Sequence, residues 1–126
     1  MKVLVVDDSL VVRTIIEKTV KQMGHEAIHA GNGQEALDIL SQQADGIELV
    51  LLDWNMPVMD GHDTVMNIKK NKAYNRLCII MISTESEDDK IDQVLAAGAN
   101  GYLAKPFSQE ELKAKIESTL ADFKTK

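Results

Sequence analysis

A single α/β domain, with a parallel sheet covered by helices on both faces, is what this sequence predicts. Two observations carry the prediction. Five short apolar runs alternate with stretches of helical period, and three of those runs are apolar without a break, as strands buried on both faces must be. A third is composition: at 126 residues, 44% apolar and 27% charged, the chain has globular averages. Domains of that size bury roughly two-thirds of their unfolded surface, enough for a real core.

In order, the runs are Val3 to Val6, Ala27 to Ala30, Ile47 to Leu52, Leu77 to Ile82 and Tyr102 to Ala104. The first, third and fourth contain the unbroken stretches. The second alternates and the fifth is short, so these two are expected at the sheet edges, which gives the strand order 2-1-3-4-5. Between them, Val12, Ile15, Ile16, Thr19, Val20 and Met23 form one face of a first helix that Gly24 ends. Asn32 with Glu35, Ser86 with Asp89, and Ser108 with Glu111 resemble capping boxes that open further helices. Their stripes include Leu37 and Leu40, then Ile91, Val94 and Leu95, then Leu112, Ile116 and Leu120. A weaker pattern of Val65, Met66 and Ile68 places another helix near 62–71. No linker, low-complexity tract or composition shift divides residues 1–126, so one domain is expected.

The formal charge of −6 and the lack of any basic run longer than Lys69-Lys70 exclude a nucleic-acid footprint. The apolar stretch before Asp7 is too short for a signal peptide or a membrane span, so a cytoplasmic, membrane-free location is expected. Cys78, the one cysteine, sits inside an apolar run and reads as a buried reduced thiol; no disulfide framework exists.

Ligands of open parallel sheets bind at the carboxyl ends of the strands. The residues just past the buried runs are Asp7 and Asp8, Asp53, Ser83 and Lys105. With strands one and three adjacent, Asp8 and Asp53 share a crevice flanked by Ser83 and Lys105. Converging carboxylates require positive charge, and oxygen donors without Cys or His point to Mg²⁺. Such a site suits a phosphoryl group: the metal and Lys105 offset its charge, Ser83 donates a hydrogen bond, and Asp53 attacks. Singly, each residue has a plainer reading. Asp8 could cap the first helix, Ser83 and Asp60 could be turn residues, and Lys105 could be a solvated charge. The conjunction of four strand ends favours the site.

Asp7-Asp8-Ser9, Asp53-Trp54-Asn55-Met56-Pro57 with Asp60-Gly61, Ser83-Thr84-Glu85, and Gly98 through Lys105-Pro106-Phe107 resemble the receiver domain of two-component response regulators, and most nearly its stand-alone chemotaxis members. The resemblance spans nearly the whole chain. It implies a doubly wound, flavodoxin-like (βα)5 sandwich and a phosphoacceptor switch rather than a turnover enzyme. It implies too that Asp53 takes the phosphoryl group from a histidine kinase phosphohistidine, while Asp8, Asp53 and the Asn55 backbone carbonyl hold Mg²⁺ with Asp7 in support. It further implies that Ser83 and Lys105 grip the phosphoryl oxygens, that Lys105-Pro106 is cis, and that Tyr102 changes rotamer when Ser83 is drawn inward. Asn55 and Glu85 match positions that tune intrinsic self-dephosphorylation. A downstream protein is expected on the fourth helix, fifth strand and fifth helix of a monomer.

One departure bears on output. Flagellar-motor regulators carry basic residues at the start of the fourth helix, where this chain has Glu87-Asp88-Asp89, with Lys90 only after them. That leaves a receiver of a larger regulator, or a phosphorelay intermediate, as the alternative, although an acidic start equally complements the helix dipole. An aspartyl-phosphate phosphatase would want a second acid where Asn55 stands, and an FMN module would place phosphate against Asp7-Asp8. His25, His29 and His62 lack ligand spacing and are given no role.

Overall fold

The computed structural model describes residues 1–43, 45–84 and 87–125. A strand that is apolar at every position has no face to offer water, and the runs of that kind take the middle of the sheet. β1 (Lys2–Val6), β3 (Ile47–Leu52) and β4 (Cys78–Ser83) lie between the edges β2 (Glu26–Ala30) and β5 (Gly101–Ala104). The order is β2-β1-β3-β4-β5, with every neighbouring pair parallel.

Alternation along each strand sorts two cores. Val3, Val5, Leu49, Leu51, Cys78, Ile80 and Ile82 meet Ile16 and Val20 of α1 (Leu10–Gln22) and Leu112 and Ile116 of α5 (Gln109–Lys124). Leu4, Val6, Val50, Leu52, Ile79 and Met81 face the opposite layer. That layer is α2 (Gly33–Gln43), α3 (Gly61–Lys69) and α4 (Asp88–Ala97), which contribute Ala36, Leu40, Val65, Ile68 and Val94. Each buried aliphatic side chain stabilises by about 1.5–3 kcal/mol, so the core strands hold their register firmly.

The helix starts show which local signals operate. Ser9, not Asp8, caps α1, accepting from the Val12 N–H at 3.3 Å, so Asp8 is free of that duty. Ser108 and Glu111 form the full reciprocal box at α5. At α2 the Glu35 N–H donates to Asn32 Oδ1 at 2.9 Å, but the Glu35 carboxylate accepts from the Gly31 N–H and the Asn32 side-chain amide rather than from the Asn32 backbone N–H. α4 opens at Asp88 with Glu87 in the cap position and no side-chain cap hydrogen bond; Ser86, expected there, lies outside the described residues. α3 stops at Lys69, short of residue 71, because the Asn71 side chain accepts from the Ala73 N–H at 3.0 Å and starts a separate 3-10 turn, Lys72–Tyr74.

At the rim formed by the amino ends of the strands, Met1, Met23, His25, Leu120 and Lys124 line a cleft of about 770 Å³. Among the described residues no helix is long and apolar enough to cross a membrane.

Candidate functional site

The opposite rim collects the polar chemistry. Val6 of β1 is level with Leu52 of β3, and the ladder runs one residue further. The Asp53 N–H donates to Val6 at 2.9 Å, and the Asp7 N–H donates to Ala30 at 3.1 Å. Asp7 and Asp53 therefore leave the sheet side by side, with Asp8 next in the chain. Carboxylate oxygens of Asp7, Asp8 and Asp53 all lie within 4.8 Å of one another. Asp7 and Asp53 are 2% and 7% exposed, whereas Asp8 is open to solvent.

Two charges about 4 Å apart repel by roughly 4 kcal/mol at an effective dielectric of 20. Lys105 relieves part of this. Its backbone N–H continues the β4–β5 ladder to Ser83 O at 2.8 Å, and the peptide to Pro106 is cis, as the resemblance implies. Its Nζ lies 2.9 Å from Asp7 Oδ2 and 3.3 Å from Asp53 Oδ1. Burial alone would lower the Lys105 pKa, but the hydrogen bond to Asp7 and the charge of Asp53 outweigh it and raise it. For Asp53, burial first and the Asp7 carboxylate second push the pKa up. Lys105 and the Trp54 N–H, 2.9 Å from Oδ1, pull it back only in part. Three carboxylates against one ammonium leave negative charge unbalanced. All the donors are hard oxygens and one carboxylate faces solvent, so the set fits a partly hydrated divalent cation such as Mg²⁺.

Of the remaining expected residues, Ser83 is fully buried at the end of β4, beside the strand that carries Asp53. Tyr102, half-buried on β5, donates its hydroxyl to the Ser83 carbonyl at 3.3 Å. Asn55 is exposed in the loop after Asp53, and Glu85 lies outside the described residues.

Several residues that support the site were not legible as such in the sequence. Gly61 packs beneath it: a β-carbon there would stand against the Asp53 carbonyl oxygen and 2.8 Å from Trp54 Cα. Its N–H donates to Trp54 O at 2.8 Å, so the start of α3 is pressed onto the loop that follows β3. Val58 has φ 70°, and the Met59 N–H donates to Pro57 O at 2.7 Å across it, a tight reversed turn that a β-branched residue adopts only under strain. His62 stacks on Trp54, ring centroids 6.1 Å apart. Arg13 sends its guanidinium to the Asp7 carbonyl. Only the Asp-Gly pair preceding α3 gave any local signal.

The same architecture recurs in known proteins. Residues 3–117 match the response regulator receiver domain family. The chain is 40% identical over 121 residues to a chemotaxis protein CheY homolog of Campylobacter jejuni, covering 95% of this chain and 92% of that protein. It is also 40% identical to CheY1 of Helicobacter pylori, over 95% and 97% of the two chains. Among solved structures, chemotaxis protein CheY4 of Vibrio cholerae superimposes with a TM-score of 0.86 at 35% identity, covering 94% of this chain and 97% of the other. A putative two-component response regulator/GGDEF domain protein gives 0.89 at 32% identity, and there 98% of this chain corresponds to 50% of the larger one. With its order 2-1-3-4-5 sheet and its acidic strand ends, this chain belongs to the response regulator receiver domain family, among its CheY-like members.

Proposed function

We propose that Asp53 accepts a phosphoryl group from a phosphohistidine of a sensor histidine kinase, in a Mg²⁺-dependent reaction, and that the modified rim then changes partner binding. The convergence of Asp7, Asp8 and Asp53 with Lys105 bridging two of them is the observation that carries this reading. Receiver domains bind Mg²⁺ at an acidic pocket. Here Asp8 and Asp53, with the Asn55 backbone carbonyl, would hold it and Asp7 would support. When bound, the ion supplies charge that offsets the phosphoryl oxygens.

Asp53 is held through Oδ1, and its other oxygen keeps its lone pairs. That oxygen forms the bond to phosphorus as the phosphorus–nitrogen bond of the donor breaks; the electron pair stays on the imidazole, which takes up a proton. Lys105 then trades a carboxylate contact for a phosphoryl oxygen, and the Ser83 hydroxyl donates a second contact. Tyr102 is tied directly to the Ser83 carbonyl, so it senses any inward movement of that residue. Hydrogen bonds to charged groups contribute about 1.5–3 kcal/mol each, and moving a two-state equilibrium from 1:99 to 99:1 takes about 5.5. Two or three new contacts suffice. Water reaching the site past the exposed Asn55 resets it, a timer rather than turnover.

Leu10, Val11, Ile15 and Val58 are exposed, and a cleft of about 360 Å³ runs between Ile15 and Phe107 beside Lys105. This apolar rim gives the kinase a surface to cover. The output face would be α4, β5 and α5. Its acidic opening, Glu87-Asp88-Asp89, favours a target other than the flagellar motor within CheY-like signalling.

The decisive experiment is incubation with Mg²⁺ and acetyl phosphate. A hydroxylamine-sensitive adduct is expected on wild type, lost on adding EDTA and absent from Asp53→Asn. A wild-type chain that stays unmodified overturns the proposal.

A further inference from the structure

We infer that Arg13 is a positioning residue for the acidic pocket, holding the peptide between Asp7 and Asp8 so that the Asp8 carboxylate faces Asp53. The inference rests on the Mg²⁺ reading above. Arg13 stands in α1 with its backbone N–H bonded to Ser9 O at 3.0 Å, and its Nη1 donates to the Asp7 carbonyl oxygen. That oxygen belongs to the peptide plane whose other end is the Asp8 nitrogen, so the contact sets the direction in which Asp8 leaves the strand. Every other group of the corner is already fixed. The Asp7 N–H is in the sheet ladder, Asp7 Oδ1 accepts from the Ser9 N–H at 2.8 Å, and Asp7 Oδ2 holds Lys105.

Asp8 has no such restraint of its own. Among the described residues its carboxylate makes neither a hydrogen bond nor an ion pair, although its oxygens converge with those of Asp7 and Asp53. Its placement comes through the backbone, which two side chains tether: Asp7 Oδ1 accepts from the Ser9 N–H, and Arg13 holds the Asp7 carbonyl from the helix. Arg13 is not otherwise occupied. Among the described residues no carboxylate pairs with it, and its Nε is buried without a partner, so the guanidinium is spent on this one carbonyl.

Charge and geometry make opposite claims, which permits a clean test. A cation beside a Mg²⁺ pocket opposes the metal, so if Arg13 acted by charge alone, Arg13→Met would tighten Mg²⁺ binding. If it acts by position, Arg13→Met weakens binding, and outer partners of metal ligands typically account for 10–100-fold in affinity. The experiment is titration of wild type, Arg13→Met and Arg13→Lys with MgCl₂, followed by Trp54 emission and by calorimetry. Apo melting temperatures are measured alongside, with the ¹³C shift of the Asp7 carbonyl as a metal-free reading of the hydrogen bond. Expected are a Kd raised at least about tenfold in Arg13→Met, partial recovery in Arg13→Lys, and an upfield Asp7 carbonyl shift in Arg13→Met. Wild type binding Mg²⁺ while Arg13→Met binds equally well or better overturns the inference and leaves the function standing. Wild type failing to bind Mg²⁺ overturns both. If Arg13→Met does not fold, Arg13→Lys decides: full wild-type affinity with an altered carbonyl shift overturns the inference, and reduced affinity supports it.

Discussion

Burial and the neighbouring Asp7 carboxylate both hold the Asp53 carboxyl above its ordinary range, and Lys105 offsets them only in part. A carboxylate whose folded pKa is raised works against folding once it ionises. The penalty is absent below its unfolded pKa of about 3.9, grows as pH rises towards the folded value, and persists above it. Asp53→Asn is therefore expected to stabilise the Mg²⁺-free protein at pH 7 by about 0.5–2 kcal/mol, with the gain vanishing near pH 3. Urea unfolding in EDTA at the two pH values measures this, and an Asp53→Asn protein less stable than wild type at pH 7 would count against it. The Lys105 shift has the opposite consequence: its raised pKa contributes stability that is present at neutral pH and fades only as alkali titrates the amine. The sequence displayed these acids and this lysine openly, because strand ends are fixed by the apolar runs before them. Arg13 stayed hidden, since on a helical wheel it is one more polar residue of the outer face.

Secondary-structure elements place these residues, and they do so unequally. Gly61 lets α3 begin flush against Asp53 and Trp54, where any side chain meets backbone. Gly61→Ala should cost about 1–3 kcal/mol by overpacking and slow acetyl phosphate labelling, read by urea midpoint and by adduct formation. α4 is the loosely held helix. It buries Val94 alone, against Ile16, Thr19 and Val20 for α1 and Leu112, Ile116 and Thr119 for α5, and Glu87 in its cap position makes no side-chain cap hydrogen bond. Its amides are expected to exchange with solvent faster than those of α1 or α5, and to slow on phosphorylation; equal protection of α4 and α5 would sink that expectation. Boundaries were least readable where polar residues chose between local partners. The weak pattern placed the end of α3 near residue 71, and the side-chain bond of Asn71 to the Ala73 N–H starts a new turn after Lys69 instead.

At the scale of the whole molecule, the fold was readable because the sheet is parallel. Unbroken apolar runs have a place only in its middle, and each βα unit returns the chain to the same rim, so the ends of β1, β3, β4 and β5 became one site. What pattern alone could not give was the third dimension of the loops: the Val58 reversal is a backbone turn with no periodic signal, and the Trp54–His62 stack and the reach of Arg13 join neighbouring elements. A cation bound by the folded pocket and not by the unfolded chain stabilises by about 2.7 kcal/mol at a hundredfold excess over its Kd. Thermal melts should accordingly rise with added MgCl₂ and fall back with EDTA; a melting temperature indifferent to the metal would argue against the pocket. Met1 and Lys124 border one and the same cleft, on the rim away from Asp53. Whatever is joined to this domain at either end, an affinity tag, a fluorophore or a fused partner, departs from the underside and leaves the approach to the Asp53 rim unobstructed.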